Sequence, residues 1–344
     1  MKLKVTLPFI LFVGFCFGQQ ETQYTQLLST PYLLNPAAGG LMNVAEVTVG
    51  NRMQFVGAEG RPMTNYASIQ SLLRFKKRKA EVLNPLESAG KTFYSTPQRV
   101  VAFKQVAGLT FVNDAIGPFT RNLVKANFAV HLPITQKLAI GAGLGLGWSN
   151  FGINQSRVSL ESSNDQAYMQ YLGNSSKQNM VDAQAGIVMY NDQFFLGISG
   201  SQLFKNKIRF AAPNDANYFA PHLLAIASYR FDFAQHYGIE PIVQFKYVKH
   251  APVTFDAGAR FHYKRMGWLS VSYRRQSAIG VGFGLNLLAR FNLSYTYEFG
   301  TGATQKFGAN THEMRLGFIF GKKPKQDKKT LENQTDPELD QPVE

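Results

Sequence analysis

The sequence holds a single cysteine, Cys16, in 344 residues. A disulfide framework, a thiolate nucleophile and a thiolate metal site are therefore not to be expected. It also lacks long apolar runs. Beyond the N-terminus no stretch approaches the roughly 18 apolar residues that a membrane-crossing helix needs. Charged residues make up only 17% of the chain, while aromatics reach 13% and glycines number 30. Two soluble domains or one large barrel fit that length. Nor is there a catalytic signature. Among His131, His222, His236, His250, His262 and His312 no pair has short metal-ligand spacing. No serine sits in a nucleophile elbow. No enzyme and no cofactor are expected, a membrane-embedded Ser-His hydrolase being the one enzymatic class that motif absence leaves open.

What the chain does have is alternation. In the last such run, Met314, Leu316, Phe318 and Phe320 fall on one face, and Glu313, Arg315 and Gly317 on the other with Ile319. The run before it alternates Phe291, Leu293, Tyr295, Tyr297 and Phe299 with Arg290, Asn292, Ser294, Thr296 and Glu298. Successive strand side chains point to opposite sides, so each run has an apolar and a polar face. An edge hairpin of a soluble sandwich shows the same pattern. The rest of the chain decides for a transmembrane antiparallel β-barrel of outer-membrane type, all-β, with about 14 strands. The expected strands are 44–57, 61–75, 98–113, 121–134, 138–151, 179–190, 193–203, 219–232, 237–249, 253–265, 267–275, 278–288, 289–299 and 311–320. Most have about the ten residues that cross a bilayer at a tilt.

Loop parity supports this. With the chain starting in the periplasm, the outside connections are 58–60, 114–120, 152–178, 204–218, 250–252, 276–277 and 300–310. The periplasmic ones are mostly short, as barrels require. Segment 76–97 breaks the rule, being long and periplasmic; it starts with the basic cluster Arg74-Phe75-Lys76-Lys77-Arg78-Lys79 and continues through Asn84-Pro85. It reads as a contact loop or a solvated insertion.

Residues 1–18 read as a signal peptide. Lys2 and Lys4 precede an apolar stretch, and a small residue, Gly18, stands before a cut at Gln19. A lipoprotein signal through Cys16 is disfavoured by the bulky Phe15. Residues 19–43 form a periplasmic N-terminal lead-in or plug segment that tucks under or into the barrel mouth, 44–320 the barrel, and 321–344 a disordered periplasmic tail. The formal charge of +14 raises nucleic-acid binding. Its cations are spread singly along strands, which fits a barrel with a positive lumen or rim better. No nucleic acid is expected.

Several polar residues fall on strand polar faces: Arg52, Gln54, Lys104, Lys125, Asn127, Arg230, Glu240, Gln244, Lys246, Arg260, Arg274, Arg290 and Glu298. Paired lumenal charges hold barrels and plugs together, and a selective pore uses them too. Tyr229, Phe231, Tyr237, Tyr247, Trp268, Tyr295 and Tyr297 suit interface girdles. Gly141, Gly143, Gly145 and Gly147 miss the final step of a dinucleotide loop. They strip one strand face bare so that another element can approach closely. His312 and Glu313 read as a lumenal or rim polar pair. The Met314, Leu316, Phe318, Phe320 face should meet lipid and carry the barrel assembly signal.

An ordered set of short motifs runs through the chain: Asn35-Pro36-Ala37-Ala38-Gly39-Gly40; Arg52, Gln54, Phe55 and Gly57 within 51–57; Gly60, Pro62 and Thr64; Asn113, Asp114 and Gly117; Tyr273-Arg274; and His312-Glu313. This order resembles the PorP/SprF family of type IX secretion outer-membrane proteins, over about residues 20–320. Thr311 stands where the family more often has serine, and 76–97 looks like an insertion. The resemblance implies an outer-membrane barrel that supports export or surface attachment of specific cargo, including gliding adhesins, by engaging the cargo's C-terminal sorting domain. It also implies periplasmic or outer-membrane secretion components as partners, besides outer-membrane lipid. Cargo would meet loops 152–178, 204–218 and 300–310; periplasmic partners would meet 19–43, 76–97 or the tail. The other reading is a general porin or hydrophobic-solute transporter.

Overall fold

The structure is a computed structural model that describes residues 24–26, 29, 31–42, 44–73, 103–135, 137–158, 177–204, 206, 219–234, 237–249, 251–263, 266–275, 277–287, 290–302 and 310–320. The signal segment with Gly18 and Gln19, the basic cluster, the 76–97 loop and the 321–344 tail lie outside these residues, as does most of the loops 152–178, 204–218 and 300–310.

Strands follow one another around a closed antiparallel wall. They are β1 (Ala45–Met53), β2 (Met63–Leu73), β3 (Lys104–Ile116), β4 (Phe119–Pro133), β5 (Ala139–Ile153), β6 (Lys177–Tyr190), β7 (Phe194–Ser201) and β8 (His222–Tyr229). Then come β9 (Phe231–Ala234), β10 (Tyr237–Val248), β11 (Thr254–Tyr263), β12 (Gly267–Arg274), β13 (Ala278–Leu287), β14 (Phe291–Gly300) and β15 (Asn310–Phe320). β8 and β9 are one wall strand. Both pair with β10 in one register as far as Asp232, Ser228 opposite Ile242 and Phe231 opposite Ile239, with a break at Arg230 and a shift between Gly238 and Tyr237. The wall therefore has 14 strands. β15 closes it on β1, from Ala45 opposite Phe320 to Met53 opposite His312. Closure leaves no sheet edge, which a wall surrounded by hydrocarbon requires.

Alternation sorts the side chains. On β15, Glu313 and Arg315 are buried inside, while Met314, Leu316 and Phe320 are exposed outside with Phe318 beside them. One end of the barrel carries tight turns. At one, Ile134 N donates to Leu138 O at 2.8 Å; at another, the Asn191 side chain accepts from Gln193 N and Phe194 N. The long connections leave the opposite end, called the outer end below, with the 74–103 connection the exception.

Several expectations change. The outside loop expected over 114–120 is a tight turn between Ile116 and Phe119, made possible by Gly117 at φ +56. Arg290 lies in the turn before β14, not on a strand. Trp268 is not a girdle residue. It is buried inside under the Arg260 guanidinium, 4.1 Å from the ring centre. Parity decides this, because Trp268 alternates with the outward Leu269. Among the described residues, the lumenal cations Arg52, Lys104, Arg121, Lys125, Lys246, Arg260, Arg274 and Arg315 stand among the acids Glu46, Asp114, Asp182, Glu240, Asp256, Glu298 and Glu313. A low-dielectric interior tolerates charges only when they are nearly balanced in this way. Exposed cations stand at the outer rim (Arg61, Arg157, Lys177, Lys249 and Arg275), with Lys137 at a tight turn of the opposite end.

Candidate functional site: the lumen and its N-terminal occupant

Of the expected lead-in or plug segment 19–43, the described residues between 24 and 42 are buried inside the barrel almost without exception. Its described residues run from Tyr24 near the outer end to Met42 near the tight-turn end, just before β1.

At the outer end the backbone of Tyr24 and Thr25 meets charged wall residues. Thr25 N donates to Glu313 Oε2 at 2.6 Å, and Arg274 Nη2 donates to Tyr24 O at 3.1 Å. Arg52 Nε donates to Thr25 Oγ1 at 3.0 Å. These groups belong to one continuous network. Lys246 pairs with Asp256 (3.2 Å), Asp256 with Arg274 (3.3 Å), Arg274 with Glu298 (3.1 Å), Glu298 with Arg52 (3.0 Å), and Arg52 with Glu313 (3.7 Å). Tyr66 adds its hydroxyl to Glu313 Oε1 at 3.1 Å and its ring to Tyr24, edge-on at 5.3 Å. Side chains from β1, β2, β10, β11, β12, β14 and β15 thus converge on two residues of the segment.

Farther down, the chain makes one helical turn (Pro31–Leu34) and one 3-10 turn (Pro36–Ala38). Asn35 joins them. Its Oδ1 accepts from Ala37 N at 2.9 Å, capping the 3-10 turn, and Pro36 suits the first helical position. Its Nδ2 donates to two wall carbonyls, Ile187 O at 3.1 Å and Ile198 O at 3.2 Å. Leu34 O accepts from Gln184 Nε2 (2.7 Å) and Ser199 Oγ (2.8 Å). Of the glycine row of β5, Gly143 faces this turn, while Gly141, Gly145 and Gly147 make room for His131, Asn127 and Lys125. A Cβ on Gly143 would overlap the backbone of Pro36 and Ala37, and one on Gly186 would overlap the Asn35 side chain. Burial of the Tyr32 hydroxyl pushes its pKa up to about 12, so it stays neutral.

At the inner end Gly40 N donates to Gln70 Oε1 (2.9 Å), and Lys104 Nζ donates to Gly40 O (3.1 Å). His131 Nε2 lies 2.8 Å from Gly39 O, which can only accept, so that nitrogen carries the proton. Its Nδ1 then accepts from the Tyr190 hydroxyl at 2.9 Å. Ala37, Ala38 and Leu41 pack with Ala139, Val188, Tyr190, Phe195, Ile226 and Ile242. Among the described residues, two cavities between segment and wall have about 20 Å³ each, room for one water molecule.

The motif residues divide into three groups. Asn35, Pro36, Gly39, Arg52, Arg274 and Glu313 gather around the N-terminal segment. Gln54, Phe55, Gly57, Gly60 and Pro62 build the β1–β2 loop at the outer end, where Gly117 N donates to Gly60 O at 2.9 Å and Thr64 Oγ1 to Asp114 Oδ1 at 2.6 Å. Asn113, Tyr273 and His312 face outward. His312 and Glu313 are therefore not a pair: neighbours on a strand point to opposite sides. His312 Nδ1 meets the Tyr295 hydroxyl at 2.7 Å on the outer face. Asp256, Gln184, His131 and Tyr66 also hold the segment or its network without belonging to any motif. Their signal is lumenal parity, readable only once the register is known. Among the described residues no group of His, Cys, Asp and Glu could hold a metal ion.

The profile of the family described as "Type IX secretion system membrane protein PorP/SprF" matches residues 16–318. The chain belongs to the PorP/SprF family. It is an outer-membrane β-barrel, and its family and fold are those of a secretion or transport barrel. No curated protein matches it. Among solved structures it is similar to the Acinetobacter baumannii outer membrane protein Omp33 (9% identity, 81% of this chain and 99% of that one, TM-score 0.46). It is also similar to the Ralstonia pickettii toluene transporter TbuX (9%, 84% and 93%, 0.48) and the P. putida toluene transporter TodX (11%, 84% and 93%, 0.44).

Proposed function

We propose that this PorP/SprF barrel is a cargo-specific accessory of type IX secretion. It supports export or surface attachment of particular proteins through their C-terminal sorting domains and works with other components of the machinery. The observation that carries this reading is the occupied lumen. A general porin needs a continuous wet channel, whereas the described residues between 24 and 42 stand inside this one, and the two cavities lined by them each have room for about one water. Cargo meets the outer end, where the long connections leave the wall.

Deleting the gene and comparing cell-surface proteins with the parent strain tests this. One or a few surface proteins should be lost, with solute uptake unchanged. An unchanged surface proteome, under conditions where the gene is expressed, sinks the reading. Steady conductance of the purified barrel in planar bilayers points instead to a porin.

A further inference from the structure

Six asparagines form a single row on the outward face of β1 to β6. Asn51 stands opposite Asn65, Asn65 opposite Asn113, Asn113 opposite Asn122, Asn122 opposite Asn150, and Asn150 opposite Asn179. Four of the five neighbouring pairs are hydrogen-bonded through their amides. Asn51 Nδ2 donates to Asn65 Oδ1 at 2.7 Å, Asn65 to Asn113 at 3.2 Å, Asn113 to Asn122 at 2.7 Å, and Asn150 to Asn179 at 2.7 Å. With strands about 4.8 Å apart, the row is about 24 Å long.

The row marks a boundary. The next outward row toward the tight-turn end is Val49, Ala67, Phe111, Val124, Trp148 and Val181, which suits hydrocarbon. The boundary is one-sided. On the other half of the barrel the outward side chains near the same end are Tyr247, Tyr273, Ile279 and Phe299, all exposed. A carboxamide has two donors and an acceptor oxygen with two lone pairs. An asparagine inside the ladder spends one N–H and one lone pair on its neighbours, so capacity for further bonds remains. Amides with unmet capacity are costly in hydrocarbon, which places the row among headgroups. Beside it, at the outer ends of the β1–β2 and β5–β6 hairpins, stand exposed Arg61, Arg157 and Lys177, with Glu59 as an acid close by in sequence. Neutral amides suit sugar hydroxyls, and flanking cations suit phosphate.

We propose that the asparagine row, with Arg61, Arg157 and Lys177, binds the phosphorylated saccharide headgroup of an outer-leaflet glycolipid, fixing one side of the barrel against it. This is independent of the cargo reading, and either can fail alone. The test uses the full chain purified in neutral detergent. Retention of a bis-phosphorylated lipid A and of its dephosphorylated form is measured by native mass spectrometry. Wild-type protein should retain the phosphorylated form about tenfold better than the Asn65→Val/Asn113→Val/Asn122→Val variant. Arg61→Gln/Arg157→Gln/Lys177→Gln should lose the preference for phosphate. Free inorganic phosphate at equal concentration should not displace the lipid. Heat-modifiable gel migration confirms that each variant is folded, since all six substitutions face outward or lie in loops. Equal retention by wild type and the asparagine variant overturns the proposal. So does indifference to the phosphates, or displacement by free phosphate. Loss of a stoichiometric protein partner from the asparagine variant, with lipid retention unchanged, overturns it in favour of a protein contact.

Discussion

Arg52 is almost wholly buried and touches Glu298, Glu313 and Thr25 at once. Removing one member of such a network leaves the others charged and desolvated, which costs about 3–5 kcal/mol. Arg52→Ala should therefore lower the temperature at which the heat-modifiable barrel unfolds on gels. Because Arg274 still neutralises Glu298, the loss should be smaller than that of the Arg52→Ala/Arg274→Ala pair. Asn35 makes a different kind of contribution. Its amide satisfies two wall carbonyls and one backbone N–H. Asn35→Ala orphans buried groups at roughly 1–3 kcal/mol for each one left unpaired. Thermal unfolding in detergent should fall clearly, and Asn35→Asp should not rescue it, since a carboxylate cannot donate to Ile187 O and Ile198 O.

At the scale of elements, the β5 glycine row and the β14–β15 hairpin carry the argument. Gly143 is bare because the N-terminal turn lies against it. Gly143→Val should push residues 36–37 off the wall, seen as faster cleavage within 24–42 by a protease added to the purified barrel. Unchanged cleavage shows that the turn does not depend on this contact. The closing strand presents Met314, Leu316, Phe318 and Phe320 outward, with Phe320 opposite Ala45 at the seam. Phe320→Glu places a charge at that seam on the lipid side and should reduce the amount of folded barrel in the outer membrane. Normal levels of the variant remove the assembly role proposed for this strand end. Alternation made these faces legible in sequence. The break at Arg230 was not legible, because alternation continues on either side of it.

For the whole molecule, closure and orientation are the tests. Cys16 is the only cysteine and lies in the expected signal segment, so introduced thiols can be labelled singly. Glu59→Cys should react with an impermeant maleimide on intact cells, and Asp192→Cys only after the outer membrane is opened. The reverse pattern inverts the barrel and moves the cargo-facing surface to the other end.

The alternation of apolar and polar residues determined by itself that this chain is a wall of about 14 strands, and its short motifs pointed to the family. Both are local in the chain: a strand needs only a period of two, and a motif only its neighbours. The occupied lumen, the balanced interior charge and the asparagine row needed the tertiary structure. Asn51, Asn65, Asn113, Asn122, Asn150 and Asn179 lie at irregular intervals along the chain. Only the strand register, set by turn geometry and barrel closure, brings them side by side. The same register carries Arg52, Arg274 and Glu313 to the one level where Tyr24 and Thr25 cross the lumen.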